Sequence, residues 1–390
     1  MKKGWETKSL SDVAEVIAGQ SPNGSFYNAS GDGLPFYQGK KEFGERFIGS
    51  PTTWTSQITK IALEGDVLMS VRAPVGPVNF ATEKSCIGRG LAAIRSGKAL
   101  NRDFLFYFLL SKQDEISGTE GAVFASINKA QIQEIRIGVP PLPEQQRIVA
   151  LLDEAFDGIA TAKTNAEQNL ANARALFESH LDAVFRQRGE GWVEHKKSLA
   201  ELCELIVDCE HKTAPTQEQG TPSIRTPNIG KGKLLLDGVY RVSEETYRKW
   251  TRRAEPLPGD LILAREAPAG NVAVIPENLK VCLGQRTVLI RPNRKFLEPE
   301  FLALLLLWPQ MQQRLLAHSR GATVEHVNMK DIRALDVGGI PPLSLQRDIA
   351  SVVGAVTEES ERLEAIYQRK LAALDELKQS LLHRAFHGEL

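Results

Sequence analysis

Net charge is missing from this sequence: 48 lysines and arginines offset 48 aspartates and glutamates over 390 residues. The balance gives no global sign of nucleic-acid binding, although it leaves room for a locally basic face. Cysteine is scarce as well. Cys86, Cys203, Cys209 and Cys282 are scattered in a chain without an apolar export segment behind its first lysines, so reduced thiols in a cytoplasm are the expectation. Long apolar runs are also absent. The longest, FLALLLLW from Phe301 to Trp308, stops at Pro309 and reads as a buried helix, far short of the roughly 18 residues of a membrane span. Nucleotide and methyl-transfer signatures are missing too. There is no Walker-type GxxxxGK[ST], and VPPL lacks both the Asn or Asp and the aromatic of an amino-methyltransferase motif.

What remains is ordinary for a globular protein of two or three domains, with 42% hydrophobic and 25% charged residues. Its organisation is not ordinary, because the chain repeats itself. GAVFASIN ending at Asn128 answers GATVEHVN ending at Asn328, and Pro140-Pro141 answers Pro341-Pro342. EGDVLMSVRAPVGPV around Asp66 answers PGDLILAREAPAGNV around Asp260, and CIGRG at Cys86 answers CLGQR at Cys282. The whole chain is a tandem duplication of a globular half followed by a helix.

Each globular half reads as mixed α/β (α+β). DVLMSV, LAAIRS, DLILAR and RTVLIRP are strand patterns between Gly, Pro and Asn turns. NRDFLFYFLLSK and EPEFLALLLLWPQMQQRLL each predict one helix, and Pro276 marks a strand end. After each proline pair the pattern changes to a heptad seam. In the first copy it runs through Ile148, Leu152, Ala155, Ile159, Ala162, Ala166, Asn169, Ala173, Leu176 and His180. In the second it runs through Ile349, Val353, Val356, Ser360, Leu363, Tyr367, Lys370, Leu374, Leu377 and Leu381. The domains expected are residues 1–143, a helix over 144–190, residues 191–343 and a helix over 344–390.

Antiparallel pairing of the two helices sets small residues against large ones, with Ile148 near Leu381 and Asn169 opposite Ser360. That pairing predicts a pseudo-two-fold arrangement with one globular domain at each end of a long helix pair. Such a frame suits a split, asymmetric DNA site.

In the order of these motifs, twice over, the chain resembles the specificity subunit of type I restriction-modification systems. The residues carrying the resemblance are the two PPL phrases with QQRI and QRDI, the terminal FRQRGE and FHGEL, the opening KSLSDVAEVIAGQSP, and DCEHKTAPT followed by IRTPNIGKG. The resemblance implies two target-recognition domains joined by antiparallel coiled-coil helices. It also implies double-stranded DNA as ligand and methyltransferase and restriction subunits as partners. S-adenosylmethionine, ATP and magnesium are then expected on those partners, with no cofactor, metal or catalytic residue on this chain. A protein-binding scaffold and a nuclease with an unrecognised acidic site are the rival readings. Neither explains a reader-and-helix unit that occurs twice with diverged readers.

Side-chain chemistry nominates the DNA contacts, since Arg and Lys bridge to guanine and Asn and Gln to adenine. In the first half PFYQGKKEFGERF offers Gln38, Lys40, Lys41 and Arg46 with Tyr37 and Phe43 interleaved, and FASINK offers Asn128. In the second, RTPNIGKGK offers Arg225, Asn228, Lys231 and Lys233. YRKWTRR adds Arg248, Lys249, Arg252 and Arg253 as phosphate contacts. Asn128 and Asn328 fit equally as turn or capping residues. Cys203, Cys209 and His211 have the spacing of no common zinc motif.

Overall fold

In the computed structural model, which describes residues 4–117, 126–189, 191–194, 197–317 and 326–390, the apolar runs form strands between their turn residues. The repeat segments Gly121–Ala125 and Gly321–Glu325 and the expected boundary at Glu190 lie outside the described residues. The chain folds as two compact units, residues 1–167 with 369–390, and residues 168–368. The units therefore cut across the four linear segments, since each combines one globular domain with part of both long helices.

In the first unit β1 (Ala14–Ala18), β2 (Leu34–Tyr37), β3 (Val67–Ser70), β4 (Val78–Phe80), β5 (Ser85–Ile87) and β6 (Leu91–Ser96) make two sheets. One is antiparallel in the order β1-β6-β3-β4, and in the other β2 lies parallel to β5. Helix α1 (Arg102–Ser111) packs on them, its first turn capped by Asn101, whose side chain accepts from the Asp103 and Phe104 amides. Helix α2 (Leu142–Arg186) follows. The second unit repeats the plan. Strands β7 (Cys203–Asp208) and β8 (Thr221–Ile224) precede helix α3 (Glu244–Trp250). Then come β9 (Leu261–Ala264), β10 (Val272–Val274), β11 (Cys282–Leu283) and β12 (Thr287–Pro292), with sheet order β7-β12-β9-β10 and β8 parallel to β11. Helix α4 (Pro299–Leu307) and the long helix α5 (Leu343–His387) complete it.

The single helix expected over EPEFLALLLLWPQMQQRLL is in fact two, Pro299–Leu307 and Pro309–Leu316. Pro309 has no N–H to donate and forces Trp308 out of the helical region, to φ −58° and ψ 131°. Two other repeated motifs are structural. Asp66 and Asp260, nearly fully buried, each accept a backbone N–H (Leu63, Leu257) and a two-pronged arginine, Arg95 at 2.9 and 2.8 Å and Arg291 at 2.8 and 2.7 Å. The repeated Gly-Asp thus ties a turn to the edge of a sheet.

The proline phrases are tied down by one residue each. Gln145, fully buried in the first turn of α2, accepts from the Asn101 amide at 2.7 Å and donates to the Ala99 and Pro140 carbonyls at 2.9 and 2.8 Å. Gln346 in α5 accepts from the Glu298 amide at 2.9 Å and donates to Phe296 and Pro341 carbonyls, both at 2.8 Å. One amide side chain thereby joins the start of a long helix to the loop that caps the preceding helix. All its partners are backbone groups, so the same solution survives changes in the side chains around it.

At 45 residues each, α2 and α5 would each span about 68 Å at 1.5 Å per residue. They run antiparallel in the first unit, where Arg147 donates to the Leu390 carbonyl and Lys163 pairs with Asp375. The buried seam of α2 keeps the expected Ile148, Leu152, Ile159, Ala166 and Ala173, then departs. Leu176 is 40% exposed, Asn169 is exposed, and the seam continues through Phe177, Leu181 and Phe185 at steps of four. These side chains leave the helix seam to join the core of the second globular domain, where the Phe185 ring meets those of Phe301 and Trp308. On α5, Lys370 and Leu377 are exposed instead of lying in the seam. The register differs as well. Ser360, 3% exposed, donates to the Ala173 carbonyl at 2.5 Å, one turn beyond the expected Asn169, because a buried hydroxyl needs an acceptor.

Candidate nucleic-acid interface

The ends of β1, β2 and β3 and the turn between β5 and β6 lie together, so four connecting loops share one edge of the first unit, joined there by the segment at Ser126, which bridges to Arg72. Backbone bonds fix them: Gly19 N to Leu91 O, Gly88 N to Tyr37 O, Val71 N to Gly90 O and Ile127 N to Val71 O, at 2.8 to 3.0 Å. The edge presents Ser21, Gln38, Arg72, Arg89 and Ser126, with Lys129 beside them. Arg72, Arg89, Asn128 and Lys129 line a cleft of about 420 Å³. Arg72, Arg89, Lys129, Lys40 and Lys41 are exposed, and among the described residues none of the five has a carboxylate partner. An edge with five unneutralised cations can hold a polyanion.

The second unit repeats these four backbone bonds: Cys209 N to Thr287 O, Gly284 N to Ile224 O, Arg265 N to Arg286 O and Val327 N to Arg265 O, at 2.7 to 3.1 Å. Position for position, Ser21, Gln38, Arg72, Arg89 and Ser126 become His211, Arg225, Glu266, Gln285 and His326. Their chemistry differs throughout. Arg265, nearly buried, pairs with Asp208 at 2.7 Å and meets His326 at 2.9 Å. The other His326 ring nitrogen meets Glu266 at 2.7 Å, and Arg286 pairs with Glu266 at 2.9 Å. His211 in turn reaches Asp208 at 3.1 Å. One backbone frame therefore carries two unrelated polar surfaces.

Several residues expected to face DNA also have partners within the chain. Arg46 donates to Asp153 of α2 at 2.7 Å and to Asp103 of α1 at 2.9 Å, over the Phe106 and Tyr107 rings. It clamps the domain to the long helix. Lys231 pairs with Glu178 of α2 at 2.7 Å and Lys233 with Glu361 of α5 at 2.5 Å, so this loop straddles the helix pair. Asn228 spends its amide on the Arg225 N–H and the Leu235 carbonyl. Asn128 caps the helix Lys129–Gln133 in a reciprocal capping box, and Asn328 occupies the same place before Met329–Ala334. Tyr37 is a core residue, its hydroxyl donating to Gly49 O and its pKa pushed up to about 12 by burial. Phe43 packs on the same cluster.

In the α3 cluster, Arg248 and Lys249 pair with Glu244 and Glu245 one turn away, Arg252 caps Lys249 O, and Arg253 donates to the Asp208 and Cys209 carbonyls. Of the thirteen nominated residues, Gln38, Lys40, Lys41, Asn128 and Arg225 stay exposed and, among the described residues, without a carboxylate partner beside the loop edges. Arg72, Arg89 and Gln285, which lie inside repeat phrases whose polar residues differ, and Lys129 at the end of the nominated loop FASINK also stand at these edges. Burial raises the thiols of Cys203 and Cys209, and the Cys203 thiol is pushed up to about 12.

The family model for the type I restriction modification DNA specificity domain matches residues 2–170 and again 190–369. A Methanocaldococcus jannaschii protein named for the MjaX type I restriction enzyme specificity subunit is 41% identical over 174 residues, 44% of this chain and 40% of its own length. The EcoBI specificity subunit of Escherichia coli is 22% identical over 99% of this chain and 86% of its own. The MjaIX subunit of M. jannaschii is 26% identical over 100% and 94%. The HsdS subunit of Thermoanaerobacter tengcongensis shares the fold with a TM-score of 0.62 at 20% identity, covering 100% of this chain and 98% of that one. A chain from a type I R-M system reaches 0.78 at 20% identity over 100% and 99%. Two matched copies spanning most of its length make this chain a member of the type I restriction-modification DNA specificity family.

Proposed function

We propose that this chain reads DNA for a type I restriction-modification complex, each unit taking one half of a split, asymmetric double-stranded site. It docks methyltransferase and restriction subunits and performs no catalysis of its own. S-adenosylmethionine, ATP and magnesium belong to those partners, and the complex works in the cytoplasm, where the DNA is. One observation carries this reading: the same loop edge is built twice on four shared backbone bonds, with different polar residues at each equivalent position. A structural surface would have no reason to diverge so selectively, whereas two readers of different half-sites must. Among the described residues no helix is long and apolar enough to cross a membrane.

The test is a genome-wide map of adenine methylation with the gene intact and deleted. Loss of one two-part motif with a fixed gap is expected. An unchanged map in a host whose methyltransferase subunits are expressed would sink the reading. A second expectation concerns the first edge. Arg72→Ala and Arg89→Ala should weaken binding about equally for all sequences and each lower the slope of log affinity against log salt by roughly 1. An unaltered salt slope would show that these arginines touch no phosphate.

A further inference from the structure

We propose that Gln38 and Arg225 are the equivalent base-reading side chains of the two units, Gln38 for an adenine in one half-site and Arg225 for a guanine in the other. The inference rests on the DNA-reading function proposed above and assigns its specificity. Both residues directly follow the inner strand of a parallel pair, where Tyr37 aligns with Ile87 and Ile224 with Leu283. A glycine stands against each side chain. A Cβ on Gly88 would lie 2.7 Å from Gln38 Oε1, and one on Gly284 would lie 2.6 Å from Arg225 Cγ. The frame thus reserves the same space in both units for a long polar side chain, and then fills it differently.

Each side chain is also held from one side and open on the other. Ser21 Oγ accepts from the Arg89 amide at 3.2 Å and donates to Gln38 Oε1 at 3.0 Å. Among the described residues that leaves the Gln38 NH₂ and one Oε1 lone pair free, the donor and acceptor that adenine N7 and N6 require. Arg225 lies over the exposed Tyr240 ring at 5.4 Å, and among the described residues no carboxylate neutralises it. Its planar fork matches guanine O6 and N7. Lys40 and Lys41 follow Gln38 in an exposed turn, placed for the adjoining phosphates.

The experiment selects duplexes from a randomised pool with the full chain in complex with methyltransferase subunits, comparing wild type, Gln38→Arg, Arg225→Gln and Gln38→Ala. Gln38→Arg should turn one adenine of one half-site into guanine, leaving the other half-site and the gap unchanged. Arg225→Gln should do the converse in the other half-site. Each switch should amount to about 5- to 150-fold in discrimination. Gln38→Ala should relax preference at that one position only. Variants that keep the wild-type motif would overturn the assignment while leaving the DNA-reading function standing. Complete loss of binding by Gln38→Ala with unchanged thermal unfolding would overturn it too, since a single reader governs a single base pair. A wild-type complex that enriches no motif would instead remove the function on which the assignment rests.

Discussion

Gln346→Ala is expected to destabilise the second unit by about 3 to 5 kcal/mol, and Gln145→Ala the first by a similar amount. Each glutamine is fully buried and satisfies three backbone groups at once, one N–H and two carbonyls. Truncation strands all three, at about 1 to 3 kcal/mol for each buried group left without a partner. A water admitted to the vacated space would recover part of that, which keeps the sum below the arithmetic maximum. Glutamate is no substitute, because a carboxylate cannot donate to the Phe296 and Pro341 carbonyls. Denaturant unfolding followed by tryptophan fluorescence distinguishes the units, since Trp192, Trp250 and Trp308 lie in the second and Trp5 and Trp54 in the first. A shift below about 1 kcal/mol would mean that these bonds are replaceable and that the repeated phrase has another purpose.

Phe185→Ala should cost about 3 to 5 kcal/mol, the range for emptying a buried aromatic site. Its ring is 1% exposed and meets Trp192, Phe301 and Trp308 at centroid distances of 6.1, 5.6 and 5.7 Å. Three large rings, two of them held on one helix and its C-cap, cannot all collapse into the space left by a fourth. Phe185→Leu should retain more than half of the stability because it fills most of the volume. Near-ultraviolet circular dichroism would report the loss of fixed tryptophan packing alongside the free-energy change. Equal stability of the two variants would show that the cluster is loosely packed and that the helix end is held elsewhere.

The sequence showed the repeat, the strands and the long helices because those depend on local periodicity and on Pro and Gly punctuation. It missed the break at Trp308 by extending an apolar period through Pro309. It placed the seam correctly at Ile148, Leu152, Ile159, Ala166 and Ala173, where a single helix partner decides burial, and wrongly at Asn169, which is exposed, and at Leu176, where the globular core takes over. Charge clusters were the weakest guide. Nothing local shows that Glu178, 53 residues before Lys231, or Glu361, 128 residues after Lys233, faces that loop. Arg46 and Asp153 are likewise 107 residues apart. The better signal was already in the repeat: Arg89 against Gln285 and Arg72 against Glu266 are changes within frames that otherwise match. Reading those differences as positions, instead of counting lysines, points to the loop edge.

The first unit is discontinuous in sequence, and this governs the order in which the protein can be built. Phe386 stacks edge-on against Phe104 and Phe108, and Leu382 and Ala385 are sealed in the same core. During synthesis these residues follow the first domain by more than two hundred others, while residues 168–368 form one unbroken stretch. The second reader can complete its core from contiguous chain as it emerges, whereas the first must wait for the final turns of α5 and close contacts of very long sequence separation. The reader made first is finished last, and until then its apolar face is the part of the nascent chain most open to misassociation.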